Sequence, residues 1–72
     1  MNQNKIIEIV SKSLKSKKIT PKSSSANTPE WDSLGHLSII ANLDKTTKGK
    51  TSKLNLSGAD SIIKLEKYLK KI

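Results

Sequence analysis

The sequence predicts a small all-α bundle: three main helices plus a short one before the last, with a long first loop. Apolar residues recur at helical spacing in three stretches, residues 5–14, 33–48 and 60–72, and polar connectors carrying serine, proline and glycine separate them. At 72 residues the chain is expected to form a single domain, 1–72, with a modest core and no room for a deep enzyme pocket. Catalysis is therefore not expected of the chain by itself.

The first helix places Ile6, Ile9 or Val10, and Leu14 on one stripe, with Ile7 beside it. Lys12, Lys15, Lys17 and Lys18 crowd its end, where the helix dipole favours positive charge, and read as a solvated face. Residues 16–32 are polar, with Ile19, Ala26 and Trp31 as their only anchors, and the expected path is a crossover along the bundle with Ile19 against the core. Pro29 prevents a helix from running in from upstream, and the Asp32 carboxylate is placed to accept from otherwise unpaired N–H groups. The second helix thus begins at Ser33 and runs to about Lys48, with Gly49 as its stop. Trp31, just ahead of the cap, is expected to pack back on His36 as a hydrophobic staple. Leu54 and Leu56 enter the core from a loop or a short third helix, and Gly58 interrupts any longer one. In the last stretch Ile62, Leu65, Tyr68, Leu69 and Ile72 share a stripe, with Lys64, Lys67 and Lys71 opposite and Asp60 as the cap.

The second helix is apolar on two sides. At about 100° per residue, His36, Ile39, Ile40, Leu43 and Thr47 form one face, while Leu34, Leu37 and Ala41 form a separate stripe roughly opposite. A small helix packed on its neighbours needs one apolar face, so the second reads as a surface for another molecule. Ser33 begins this helix, where free N–H groups and the dipole favour a phosphate that is attached or bound.

Asp32-Ser33-Leu34, at the head of a helix continuing through Leu37, Ile39, Ile40 and Leu43, resembles the phosphopantetheine attachment site of acyl carrier and peptidyl carrier proteins. The likeness covers residues 5–70, and Trp31-Asp32-Ser33-Leu34-Gly35-His36-Leu37 looks most like free-standing carriers of the peptidyl or specialised-acyl type. It implies a 4′-phosphopantetheine arm on Ser33, added from coenzyme A by a phosphopantetheinyl transferase, with an acyl or aminoacyl group held on it as a thioester. It further implies that Asp32 caps the helix and helps orient the transferase or its metal-bound substrate. Leu34, Leu37 and Ala41 would dock partner enzymes, and Ala59 corresponds to a position that faces them. Fatty-acid carriers display glutamates along this helix. Here the corresponding outward positions include Gly35, Ser38, Lys45 and Lys48, so the expected partners are neutral or acidic around their docking sites.

A net charge of +8 raises nucleic acid as a rival partner. All fourteen basic residues are lysine, without the arginine suited to bidentate phosphate or base contacts, and Trp31 and Tyr68, the two candidates for stacking, are far apart in sequence. Compositional bias toward lysine, asparagine and isoleucine is the preferred reading of the charge. A helical nucleic-acid-binding module and a protein-interaction adaptor that leaves Ser33 unmodified are the alternatives. Ser33 and His36 are close enough on a helix to suggest a hydrolase, but no carboxylate is obviously placed to orient the imidazole. The chain has no cysteine, and its single histidine makes a structural zinc site implausible. No run approaches a membrane span and the N-terminus lacks the apolar core of a signal peptide, so a cytoplasmic monomer is expected.

Overall fold

The structure is a computed structural model and describes residues 1–70. Helix α1, Gln3–Leu14, starts where Asn2 Oδ1 accepts from the Lys5 N–H at 2.8 Å, two residues earlier than the apolar period alone suggests. Lys15 turns into the left-handed region at its end, and the Lys15 and Ser16 N–H groups close onto the Lys12 and Ser11 carbonyls. Helix α2, Ser33–Thr46, ends by the same device: Lys48 and Gly49 both have positive φ, and the Gly49 N–H reaches the Asp44 carbonyl at 2.8 Å. Gly49 closes the turn as expected, but the regular helix ends at Thr46, two residues short of Lys48.

The expected short helix before the last is a single 3-10 turn, Lys50–Lys53, after which the chain extends. Leu56 is buried and Leu54 half-buried, so both serve the core from the loop. Helix α3, Ile62–Tyr68, is capped by Ser61, whose hydroxyl accepts from the Lys64 N–H at 3.1 Å. Asp60 is therefore not the cap. Its carbonyl accepts from the Ser25 N–H at 2.8 Å, and the Ile62 N–H reaches the Ser23 carbonyl at 3.0 Å. These two bonds strap the long loop to the start of α3 through an isolated antiparallel bridge between Ser24 and Ser61.

One core holds the elements together. Ile6, Ile9, Val10 and Leu14 of α1 meet Ile39 and Leu43 of α2 and Ile62, Leu65 and Leu69 at the C-terminal end, with Ile19, Trp31, Leu56 and Ala59 entering from loops. The expected inward stripe of α2 is confirmed, with His36 and Ile40 half-buried at its margin. Thr47 is buried with its hydroxyl bonded to the Leu43 carbonyl at 2.8 Å, which satisfies it. Tyr68 departs from its expected stripe and is 46% exposed; Ala26, an expected loop anchor, is also exposed. Lys71 and Ile72 lie outside the described residues. No helix among the described residues is long and apolar enough to cross a membrane.

Candidate functional site

Ser33 is the first residue of α2, and the preceding side chain makes the helix start there. Asp32 is extended, and its Oδ1 accepts from the Gly35 N–H at 2.8 Å while its carbonyl takes the His36 N–H at the same distance. Those bonds account for the third and fourth N–H groups of the helix. The N–H groups of Ser33 and Leu34 and the Ser33 hydroxyl have no partner among the described residues, and Ser33 is exposed. Ser33 thus presents a free nucleophilic oxygen beside two free donors at the positive end of a 14-residue helix.

The approach to this end is shaped by a feature that angular counting misplaces. Gly35, read as outward-facing, is pressed under the incoming loop: a methyl group there would overlap the Glu30 carbonyl oxygen and stand 2.7 Å from a Leu14 methyl. Only a residue without Cβ lets residues 30–32 pass so close to the helix. An isolated glycine inside the first turn of an otherwise apolar helix is the sequence signal that marks it.

Trp31 and His36 form the next layer. Their rings stack with centroids 6.4 Å apart, and Trp31 Nε1 donates to His36 Nδ1 at 3.0 Å, so the expected staple is present with a hydrogen bond added. Because indole Nε1 is a donor only, His36 Nδ1 must be the acceptor, which makes Nε2 the protonated nitrogen; it donates to the Leu56 carbonyl at 2.8 Å. Both imidazole nitrogens are committed. His36 therefore has no nitrogen left to act as a base on Ser33, and its work is to pin the loop carrying Leu56 to α2.

Beside Ser33 runs an open groove of about 530 Å³, bounded by Trp31, His36, Leu37 and Ile40 on one side and by Ser25, Ser57 and Asp60 on the other. The sequence gives no sign that this wall faces Ser33, because its residues lie on two polar connectors that the strap brings together. Asp60 is held ionised to lower pH than usual, chiefly by its hydrogen bond from Lys64 Nζ at 3.1 Å and the charge of that lysine, with the Ser25 hydroxyl adding a weaker contact at 3.3 Å.

No family model, curated protein or solved structure matches this chain. The second apolar stripe of α2 lies open, with Leu37 at the rim of the groove: Leu34 is 76% and Leu37 61% exposed, and Ala41 is exposed beyond them. Ala59 does not join that surface. Its side chain is fully buried between Leu56 and the start of α3, so it belongs to the core and is unavailable to a partner. Among the described residues no group of three metal-ligating side chains converges.

The residues present fit an anionic group esterified to Ser33. The hydroxyl is exposed and unbonded, two backbone donors stand beside it, and the adjoining groove is lined by apolar side chains and hydroxyls together with the carboxylates of Asp32 and Asp60.

Proposed function

We propose that this chain is a carrier protein, modified on Ser33 with 4′-phosphopantetheine from coenzyme A by a phosphopantetheinyl transferase. When bound, that group supplies a terminal thiol on which an acyl or aminoacyl intermediate is held as a thioester for partner enzymes. The observation that carries the reading is the free, exposed Ser33 hydroxyl at the capped start of α2, with an exposed apolar face directly behind it.

The chain's own residues divide the work. Asp32 sets the helix start and leaves the first two N–H groups open toward an ester on Ser33. Gly35, Trp31 and His36 hold the incoming loop against the start of the helix. Leu34, Leu37 and Ala41 supply the docking contact. The protein presents a group and leaves the chemistry to its partners.

Intact-mass measurement after incubation with coenzyme A and several broad-specificity transferases tests this. Wild type should gain one phosphopantetheine and Ser33→Ala none. Absence of any gain in the wild type, or a gain in Ser33→Ala, refutes the assignment and favours an interaction module whose Ser33 stays unmodified.

A further inference from the structure

Among the described residues four large apolar side chains are exposed: Leu34 and Leu37 on α2, and Ile63 and Tyr68 on α3, where Ile63 is 63% exposed. The second pair has no part in the groove beside Ser33. Ile62, Leu65 and Leu69 turn into the core, which leaves Ile63, Lys67 and Lys70 as a ridge on the opposite side of α3 and its last turn. A groove runs along each flank of that ridge. One is lined by Met1 and Ile63 and the other by Leu54 and Tyr68, and Lys67 and Lys70 border both. These six residues, drawn from three parts of the chain, therefore make one continuous face.

The face is positive in space as well as in sequence. Lys64 joins Lys67 and Lys70 on the Tyr68 groove, and no carboxylate lines it. Two carboxylates stand at the margins: Asp60 is bonded to Lys64 at 3.1 Å, and Glu66 is half-buried in the Met1 groove. Lys67 and Lys70 make no salt bridge among the described residues. The net charge of +8 draws the whole chain toward any anionic surface, and the local arrangement decides which side arrives.

The residue types select among anionic partners. Lysines and apolar side chains interleave on this face, as they do on protein surfaces that lie in a headgroup layer, where apolar groups sit below and flexible lysines keep their ammoniums at phosphate level. Tyrosine, with an apolar ring and a polar tip, suits the same boundary. A single-stranded nucleic acid is held by successive stacking rings, and Tyr68 is the one aromatic residue on the face. We propose that α3 and its flanking grooves form a peripheral binding face for bilayers that carry anionic headgroups. Ile63 and Tyr68 enter the boundary between headgroups and acyl chains, and Lys64, Lys67 and Lys70 meet the phosphates around them. The face shares no residue with the groove beside Ser33, and the proposal holds whether or not Ser33 is modified.

Co-sedimentation of the unmodified chain with vesicles of phosphatidylcholine, alone or mixed with phosphatidylglycerol, measures the binding. The chain should bind the mixed vesicles only, and less as salt rises. Lys67→Glu with Lys70→Glu should weaken binding roughly tenfold or more. Lys17→Glu with Lys18→Glu removes the same charge from exposed positions just past α1 and should weaken it by less than about threefold. Ile63→Ser with Tyr68→Ser should abolish the binding that survives at high salt. In bicelles of the mixed composition carrying a headgroup nitroxide, the amides of Ile63, Lys67 and Tyr68 should broaden before those of Leu37 and Lys17. The proposal is overturned if the mixed vesicles do not retain the chain, if the two lysine pairs matter equally, or if Leu37 or Lys17 broadens first. It is overturned equally if a single-stranded oligonucleotide shifts Lys67 and Tyr68 at lower concentration than the anionic lipid does. None of these results touches the mass test of Ser33 loading, so the two readings fail separately.

Discussion

A methyl group at residue 35 has nowhere to go without moving backbone. Alanine is the better helix former by about 1 kcal/mol, but its Cβ would collide with the Glu30 carbonyl, and that carbonyl belongs to the loop that sets Asp32 over the helix end. Gly35→Ala is therefore expected to destabilise the fold by about 1–3 kcal/mol, the range for overpacking, and to loosen the cap beside Ser33. Urea denaturation measures the first effect and amide exchange at Gly35 and His36 the second; a variant more stable than wild type would show that the loop yields freely. The residue-level reading of the sequence succeeded where one helix contains the whole reason, as at Asp32, Ser33 and the Trp31–His36 pair. It failed at Gly35 and Ala59 because neighbours from elsewhere in the chain crowd the first and bury the second. Angular counting knows nothing of the loop over Gly35, and the outward role of Ala59 came from resemblance, without any residue pattern behind it.

At the scale of elements, α2 carries the decisive contrast between its two apolar faces. Leu43 is fully buried, and Leu43→Ala should cost about 2–5 kcal/mol, a large share of what a small domain has. Leu37, on the exposed side, should tolerate alanine with a change within about 0.5 kcal/mol while losing affinity for whatever docks there. Denaturation curves in which both variants suffer equally would mean that the second stripe is core. Both faces were legible because α1 and α2 are long enough for a 3.6-residue period to repeat several times. The stretch between residues 50 and 61 was not. Thr51, Leu54, Leu56 and Ala59 are buried or half-buried there with no helical period, and Asp60 and Ser61 are both acceptable caps side by side. The choice of Ser61 follows from the strap, which takes the Asp60 carbonyl for Ser25 and turns the Asp60 carboxylate toward Lys64.

For the molecule as a whole, that strap is what makes a chain with a long polar loop close on itself. The Ser25 and Ile62 N–H groups tie two segments more than thirty residues apart, and the Asp60 carboxylate adds contacts from Lys64 and from the Ser25 hydroxyl at the same place. The two kinds of bond respond differently to acid. Lys64 holds the folded-state pKa of Asp60 below its ordinary 3.8, so the carboxylate's contribution is fully present above that value and fades as pH falls through the lower folded one. The pair is about half exposed, 57% and 48% at its two side chains, and such pairs contribute little net stability. Main-chain bonds do not titrate in this range, so the strap should stay shut after Asp60 is protonated. Carboxyl carbon shifts of Asp60 followed through an acid titration, alongside amide exchange at Ser25 and Ile62, separate the two contributions. Lys64→Ala should return the Asp60 titration toward the ordinary carboxylate range without exposing either amide. Loss of protection at Ser25 and Ile62 in step with protonation of Asp60 would instead make the carboxylate, and not the backbone bridge, the element that holds the long loop against α3 and keeps the far wall of the groove beside Ser33.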